Sequence, residues 1–408
     1  MSLCSWAFSK QGDIMQETTN KTILTAETYK GFEAYAAYLK ETRRALHKIP
    51  EIGFDLPRTS AYVKAQLEVM GYAVEYTAGY GLVARKEGKS ERAVAFRSDM
   101  DALPIREASG TDYESTIKGQ MHACGHDGHM AILLGFASYI AEQPSLNRSV
   151  VFIFQPAEET GGGAKEVIND GVFTRHHVDA VFGLHLYPEL EEGVIGVRDG
   201  VMMAQDGELD VTVHGRGTHG AQPHLGTDSV LAVSHLITQY HTVLGRSIDP
   251  RSSGILNIGS VHSGHGRNVV SDEASIEGTL RALDEKTYTH LKDAIRRINS
   301  GIEASFNVRI DTVFNDMYPR LVNDSDLHSL VTAQLQDGEF QEIEPLLLAE
   351  DFSYYQKELP GYFFMLGCRN AELGHTEPLH SQRFDFDESV LVKGLEMYVR
   401  IAQGLDLI

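Results

Sequence analysis

Cysteine is scarce in this chain of 408 residues: three occur, Cys4, Cys124 and Cys368. So few, so far apart, make no disulfide framework, and a reducing, cytoplasmic setting is expected. Basic side chains are also short, with 36 Lys and Arg against 57 Asp and Glu and a formal charge of −21. That balance argues against a nucleic-acid or anionic-membrane partner, and no run of Lys and Arg supplies a local patch. Long apolar runs are missing too, so no membrane-spanning helix is expected. The first residues lack an apolar stretch ending in small residues and do not read as a signal peptide. What remains is ordinary for a globular chain, 42% hydrophobic, and long enough for about two or three domains.

Periodicity divides the chain. Helical spacing over Thr28–Lys48 and about 58–70 is followed by short β-rich runs at Tyr72–Tyr76, Gly81–Lys86 and Ala93–Ser98. A helix near 128–142 then leads into Ser149-Val-Val-Phe-Ile-Phe154, apolar on both faces as a covered central strand would be. A helix near 163–170 and the strand Ala180–Leu186 extend the alternation, which implies a mostly parallel sheet flanked by helices. Between 205 and 317 the rhythm becomes β-α-β-β-α-β, beginning with the alternating Glu208–His214, the order of a ferredoxin-like unit. After Met317 the first pattern resumes, with helices near 325–336, 351–358 and 387–404 and the strand Tyr362–Leu366. The fold expected is α/β: a discontinuous catalytic domain, 26–204 and 318–408, split by an inserted lid or dimerisation domain at 205–317.

Four segments concentrate metal-ligating residues near expected strand ends, where open α/β sheets build their sites. In Met121-His-Ala-Cys-Gly-His-Asp-Gly-His129 an extended backbone would point Cys124 and His126 the same way, towards one ion. By itself that segment reads equally as a buried thiol beside a helix cap. Gln155-Pro-Ala-Glu-Glu159 puts two adjacent carboxylates after a buried strand, a repulsion that a divalent ion relieves. His185 interrupts an apolar strand, and His380 precedes the last helix. Cys124, His126, Glu159, His185 and His380 are more ligands than one catalytic zinc takes, so they point to two ions sharing a ligand. Glu158 is then the base for the water between them. Asp101, after another strand, could orient a ligand His and raise its basicity.

These segments, with Asp99-Met-Asp-Ala-Leu-Pro-Ile105, Gly183-Leu-His-Leu-Tyr-Pro188 and Leu379-His-Ser381, resemble the aminoacylase/carboxypeptidase metallopeptidases. The nearest branch is the amidohydrolases that include hippurate hydrolase and auxin-conjugate hydrolases. The likeness runs in order from Arg43-Arg-Ala-Leu-His47 to the last helix, and departs at His380-Ser-Gln-Arg, where His-Ser-Pro is the pattern. It implies Glu158 as base, Asp101 in support, and the five ligands above. It further implies that His219, in Gly215-Arg-Gly-Thr-His219, stabilises the oxyanion across a dimer, and that Asn268 and Arg281 hold the substrate carboxylate. Four other histidines of the insert, His214, His224, His262 and His265, have no assigned role.

The activity implied is metal-dependent hydrolysis of the amide bond of N-acyl-amino acids, with Glu158 activating the metal-bound water. Two divalent ions per subunit are expected, manganese or zinc foremost, with cobalt or nickel also suited to the donor set. The expected partners are a small N-acyl-amino-acid substrate and a second copy of the chain, as a homodimer or higher homo-oligomer. A dipeptidase or other metallo-exopeptidase on the same scaffold is the nearest alternative. A non-catalytic binding protein that kept the fold is the remote one.

Overall fold

The computed structural model describes residues 31–408. Cys4, the opening segment and Thr28–Lys30 of the expected first helix lie outside the described residues. The described residues separate into two compact units, one of those up to Val197 with Asp324–Ile343 and Leu359–Ile408, the other of Arg198–Asn323 and Glu344–Glu358.

The first unit begins with α1 (Ala36–His47) and α2 (Pro57–Val69), the latter with proline in its first turn, where no amide is needed. There follow β1 (Val74–Thr77), β2 (Gly81–Lys86), β3 (Ser90–Asp99), α3 (His126–Glu142), β4 (Arg148–Gln155), α4 (Gly163–Asn169), α5 (Val172–Arg175), β5 (Val178–Glu191) and β6 (Ile195–Val197). The second unit contributes β7 (Gly200–Met203), β8 (Gln205–His214), β9 (Thr218–His219), α6 (Ser229–Arg246), β10 (Gly254–Ser263), β11 (Val269–Val270), β12 (Glu273–Ala282), α7 (Glu285–Phe306), β13 (Arg309–Asp316) and β14 (Leu321–Asn323). Last come α8 (Ser325–Thr332), β15 (Phe340–Glu342), α9 (Phe352–Glu358, in the second unit), β16 (Gly361–Arg369) and α10 (Val390–Gly404).

The eight strands of the first unit are ordered β1-β2-β4-β3-β5-β16-β6-β15. Its four central strands, β4, β3, β5 and β16, run parallel. β4 is buried along nearly its whole length, as its unbroken apolar run requires. Each of its large side chains contributes about 1.5–3 kcal/mol by leaving water. The chain leaves β3 for β4 on one side and leaves β5 for β6 on the other, which opens a crevice between β3 and β5 at their carboxyl ends. Register sets the depth of that crevice: Arg97 is opposite Gly183 and Asp99 opposite Gln155, so Asp99, Gln155 and His185 stand level.

At the far edge, Glu339 accepts from Lys393 and Arg400 of α10, both at 2.8 Å. Burial opposes its charge, but these two cations win and hold its carboxyl at about 2, below the ordinary 4.5. A depressed carboxyl stabilises the fold above its unfolded value and loses that contribution as pH falls through the folded one. Melting temperature should therefore drop between about pH 4.5 and 2, and Glu339→Gln should flatten that limb; an unchanged limb would show the pair to be inert.

In the second unit the order β10-β12-β8-β13 is antiparallel throughout. β8 alternates as its sequence demands, with Leu209, Val211 and Val213 buried and Glu208 and Asp210 exposed. Asp228 and Asp284 cap α6 and α7 by accepting from Leu231 and Thr287. Their apolar stripes, including Leu236 and Tyr240 on one and Leu291 and Ile295 on the other, join Leu209, Val211 and Val213 in one core.

Candidate metal centre

The segment carrying Cys124 and His126 is not extended, as the sequence suggested. Gly125 adopts left-handed φ of 88° and forms the N-cap of α3, so His126 is the first residue of that helix. The turn, rather than strand alternation, brings their ligand atoms within 4.8 Å of each other, and the Cys124 thiol also donates to His185 Nε2 across 3.4 Å. A left-handed residue is what folds the chain back so tightly, and glycine supplies it without strain.

The paired glutamates sit on a comparable device. After β4 ends at Gln155, Ala157 takes φ of 56°, and its carbonyl accepts from the Gly163 amide at 3.1 Å. A Cβ at Gly163 would lie 1.8 Å from the Pro156 carbonyl oxygen, so the loop closes only with glycine there. Asp101, fully buried, accepts from the backbone amides of both glutamates, Glu158 at 3.0 Å and Glu159 at 3.1 Å. Its carbonyl, not its carboxylate, holds His126: Nδ1 donates to that oxygen at 2.8 Å, while the carboxylate lies 3.7 Å away. Asp101 thus orients the ligand through the main chain and the glutamates through its side chain.

His185 is held in the same manner, donating from Nδ1 to the Leu186 carbonyl at 2.6 Å. Each imidazole thus donates from Nδ1 and turns Nε2 inwards, the orientation in which histidine binds a metal once Nε2 is unprotonated. His380, also left-handed at φ of 64°, donates its amide to the Ala123 carbonyl at 2.8 Å and brings Nε2 to 3.1 Å from Glu159 Oε1.

The ligand atoms form two triads. Those of Cys124, His126 and His185 lie within 4.8 Å of one another, as do those of Cys124, Glu159 and His380, so the thiol belongs to both. His126 Nε2 is buried without a hydrogen-bond partner. An orphaned buried polar atom is rare unless something absent from the protein chain satisfies it. A sulfur, nitrogen and oxygen donor set shared in this way fits a pair of divalent ions of borderline softness.

The electrostatics agree. Burial disfavours charge on His126, but Asp99, Asp101 and Glu159 outweigh it and raise that imidazole to about 10. Burial, then Glu159 and Glu158, push the Cys124 thiol well up. The pocket is a field that seeks positive charge, and a divalent ion would supply it while drawing the thiol into its thiolate form.

Two residues that the sequence reading passed over complete the surroundings. Asp99 accepts from His129 Nδ1 at 2.7 Å and from Arg97 at 2.9 Å. Burial opposes its ionisation, yet His126, His129 and Arg97 hold it well below the usual carboxylate range. His129 Nε2 accepts the Leu186 amide at 2.9 Å, so both its nitrogens are engaged and it braces the strand beside His185. The spacing of His126 and His129, three apart on one helix face, was the available signal.

The remaining expected residues belong to the second unit. His219 in β9 pairs with Val269, and the next amide, Gly220, donates to the Asn268 carbonyl at 2.7 Å, which makes His219 and Asn268 neighbours. His219 Nδ1 accepts from Ala221 at 3.1 Å, leaving the Nε2 proton to face outwards as a donor. Arg281 donates to the Leu347 carbonyl at 2.8 Å and lies 4.0 Å from Asp206. His214 is engaged by Asp311 at 2.9 Å.

Residues 95–404 match the model of peptidase family M20/M25/M40. An N-acetyldiaminopimelate deacetylase of Exiguobacterium sibiricum is 38% identical over 358 residues, covering 87% of this chain and 95% of the relative. An N-acetyl-L-cysteine deacetylase of Bacillus subtilis is 35% identical, covering 96% and 94%. Among solved structures, a dinuclear metal-binding peptidase of the M20 family from Bacillus subtilis superposes with a TM-score of 0.80 at 29% identity, covering 92% of this chain and all of that one. With a family match over three quarters of its length, and a thiol, three imidazoles and two carboxylates gathered beside the carboxyl ends of its central strands, this chain belongs to peptidase family M20/M25/M40.

Proposed function

We propose that the chain hydrolyses the amide bond of N-acyl-amino acids, releasing a carboxylic acid and an amino acid, with two divalent ions and Glu158 as general base. One observation carries this reading: two ligand triads meet at Cys124, and Glu158 stands with Glu159 and His126 in a further close group. The names of the relatives, deacetylases of N-acetylated amino acids, support the bond and substrate class.

Ions held by Cys124, His126, Glu159, His185 and His380 would polarise the acyl carbonyl and make a nearby water easier to ionise. Glu158 takes a proton from that water as its oxygen attacks the carbonyl carbon. Glu158 then delivers the proton to the leaving nitrogen as the amide bond breaks, so one water is consumed per bond. Asp101 fixes where Glu158 starts by bonding its backbone amide. In the insert, read as a ferredoxin-like lid at 205–317 that also dimerises, His219 would reach the site of the other copy across the dimer and donate its Nε2 proton to the developing oxyanion. Asn268 and Arg281 receive the substrate carboxylate, for which a guanidinium fork is suited. Manganese or zinc is the favoured ion.

The test is hydrolysis of a panel of N-acyl amino acids and dipeptides by chelator-stripped protein reloaded with Mn²⁺, Zn²⁺, Co²⁺ or Ni²⁺, scored as free amine. Activity should vanish on stripping, return with metal and favour the acyl amino acids. Undiminished activity after stripping would contradict the reading, and a preference for dipeptides would reassign the chain to the exopeptidases.

A further inference from the structure

The two ligand triads draw on segments more than 250 residues apart in sequence, tied at the site by the bond from the His380 amide to the Ala123 carbonyl at 2.8 Å and, behind it, by side chains. One buried side chain joins those segments. Arg43, on α1 and 1% exposed, donates from Nε to Asp127 at 2.8 Å and from Nη2 to Asp385 at 2.7 Å; its Nη1 lies 3.4 Å from Glu388. Asp127 directly follows His126 in the first turn of α3. Asp385 comes five residues after His380, on the segment leading into α10. The guanidinium is also sandwiched, 4.4 Å from the Phe386 ring centroid and 4.8 Å from that of Tyr113. Tyr113 donates to the other oxygen of Asp385 at 2.9 Å. His47, one turn on along α1, reinforces the same anchor, with Nδ1 2.7 Å from Asp127.

From this geometry we infer that Arg43 is a positioning residue that fixes the distance between the His126 and His380 ends of the two-ion site. The inference deepens the proposed function and rests on it. Only a planar fork meets carboxylates on two segments at once, and lysine keeps the charge without the bridge. Buried partners behind metal ligands are worth about 10–100-fold in metal affinity, which sets the scale of the effect.

Stepwise titration of the metal-free full chain with Co²⁺ tests this, following the thiolate-to-cobalt absorption band and the affinity of each step. Three variants are compared with wild type. Arg43→Lys should bind the first ion normally and the second about tenfold or more weakly, with a changed band. Tyr113→Phe, which removes one hydroxyl bond and leaves no buried charge unpaired, should weaken the second step by a smaller factor and decides the matter if Arg43→Lys fails to fold. Arg400→Lys is the control. Arg400 is also buried, though less deeply, and paired with Glu339 at 2.8 Å, on elements that carry no ligand, so it should lower melting temperature and leave both steps unchanged. Wild-type titration by both Arg43→Lys and Tyr113→Phe would overturn the inference, as would an equal weakening by Arg400→Lys. Failure of wild type to bind two ions would overturn the proposed function and the inference together, whereas two normal steps in every variant would leave the proposed function standing alone.

Discussion

Glu158→Gln is expected to bind two divalent ions with wild-type stoichiometry while kcat falls by about 10²–10⁴-fold. Glutamine preserves the backbone amide that Asp101 anchors at 3.0 Å and nearly preserves side-chain volume, so the loop should not move. What it removes is the capacity to accept a proton from water and return it to the amine. Because those two transfers belong to chemistry rather than to binding, KM should change far less than kcat. Steady-state kinetics with elemental analysis on the same sample separates the cases. Lost metal would make Glu158 a ligand, and wild-type turnover would remove it from the mechanism.

Cys124→Ala should have the larger effect on binding. The thiol belongs to both triads, so its removal leaves two ligands where each ion had three. Partners behind ligands cost about 10–100-fold in affinity, and a shared ligand should cost more for both ions at once. Turnover should fall with occupancy. The substitution is small and the thiol hydrogen-bonds only weakly, so the metal-free protein should melt close to wild type. His380→Ala supplies the contrast. Its side chain is half exposed and serves one triad, so one ion should loosen and the other stay. Equal retention of both ions in Cys124→Ala would refute the shared-thiol arrangement.

The two main sheets were legible because burial imposes periods: β4 of the first unit is apolar on both faces and β8 of the second alternates, and both stand where the sequence placed them. The candidate ligands were legible because thiol, imidazole and paired carboxylates are costly to bury at strand ends without a purpose. Three things left no such trace. Strands of two to four residues, such as β6, β9 and β11, are too short to display a period. The left-handed turn at Ala157 occurs at a residue with no preference for it, and histidine's mild preference is too weak to announce the one at His380, so the backbone that aims Glu158 and His380 could not be foreseen. The route by which Cys124 and His126 converge was misjudged for a related reason, since Gly125 starts a helix where strand geometry had been expected. Finally, Asp99 and Arg43 act through contacts with segments distant in sequence, and no local spacing encodes those.

The claim on which the rest depends is a pair of ions bridged by one thiolate. Anomalous diffraction at the metal edge, from crystals of the zinc-loaded full chain, tests it most directly. The account predicts two peaks about 3.5–4 Å apart, each about 2.3 Å from Cys124 Sγ, one also contacted by His126 and His185 and the other by Glu159 and His380. A single peak, or two peaks of which only one touches the Cys124 sulfur, would contradict it.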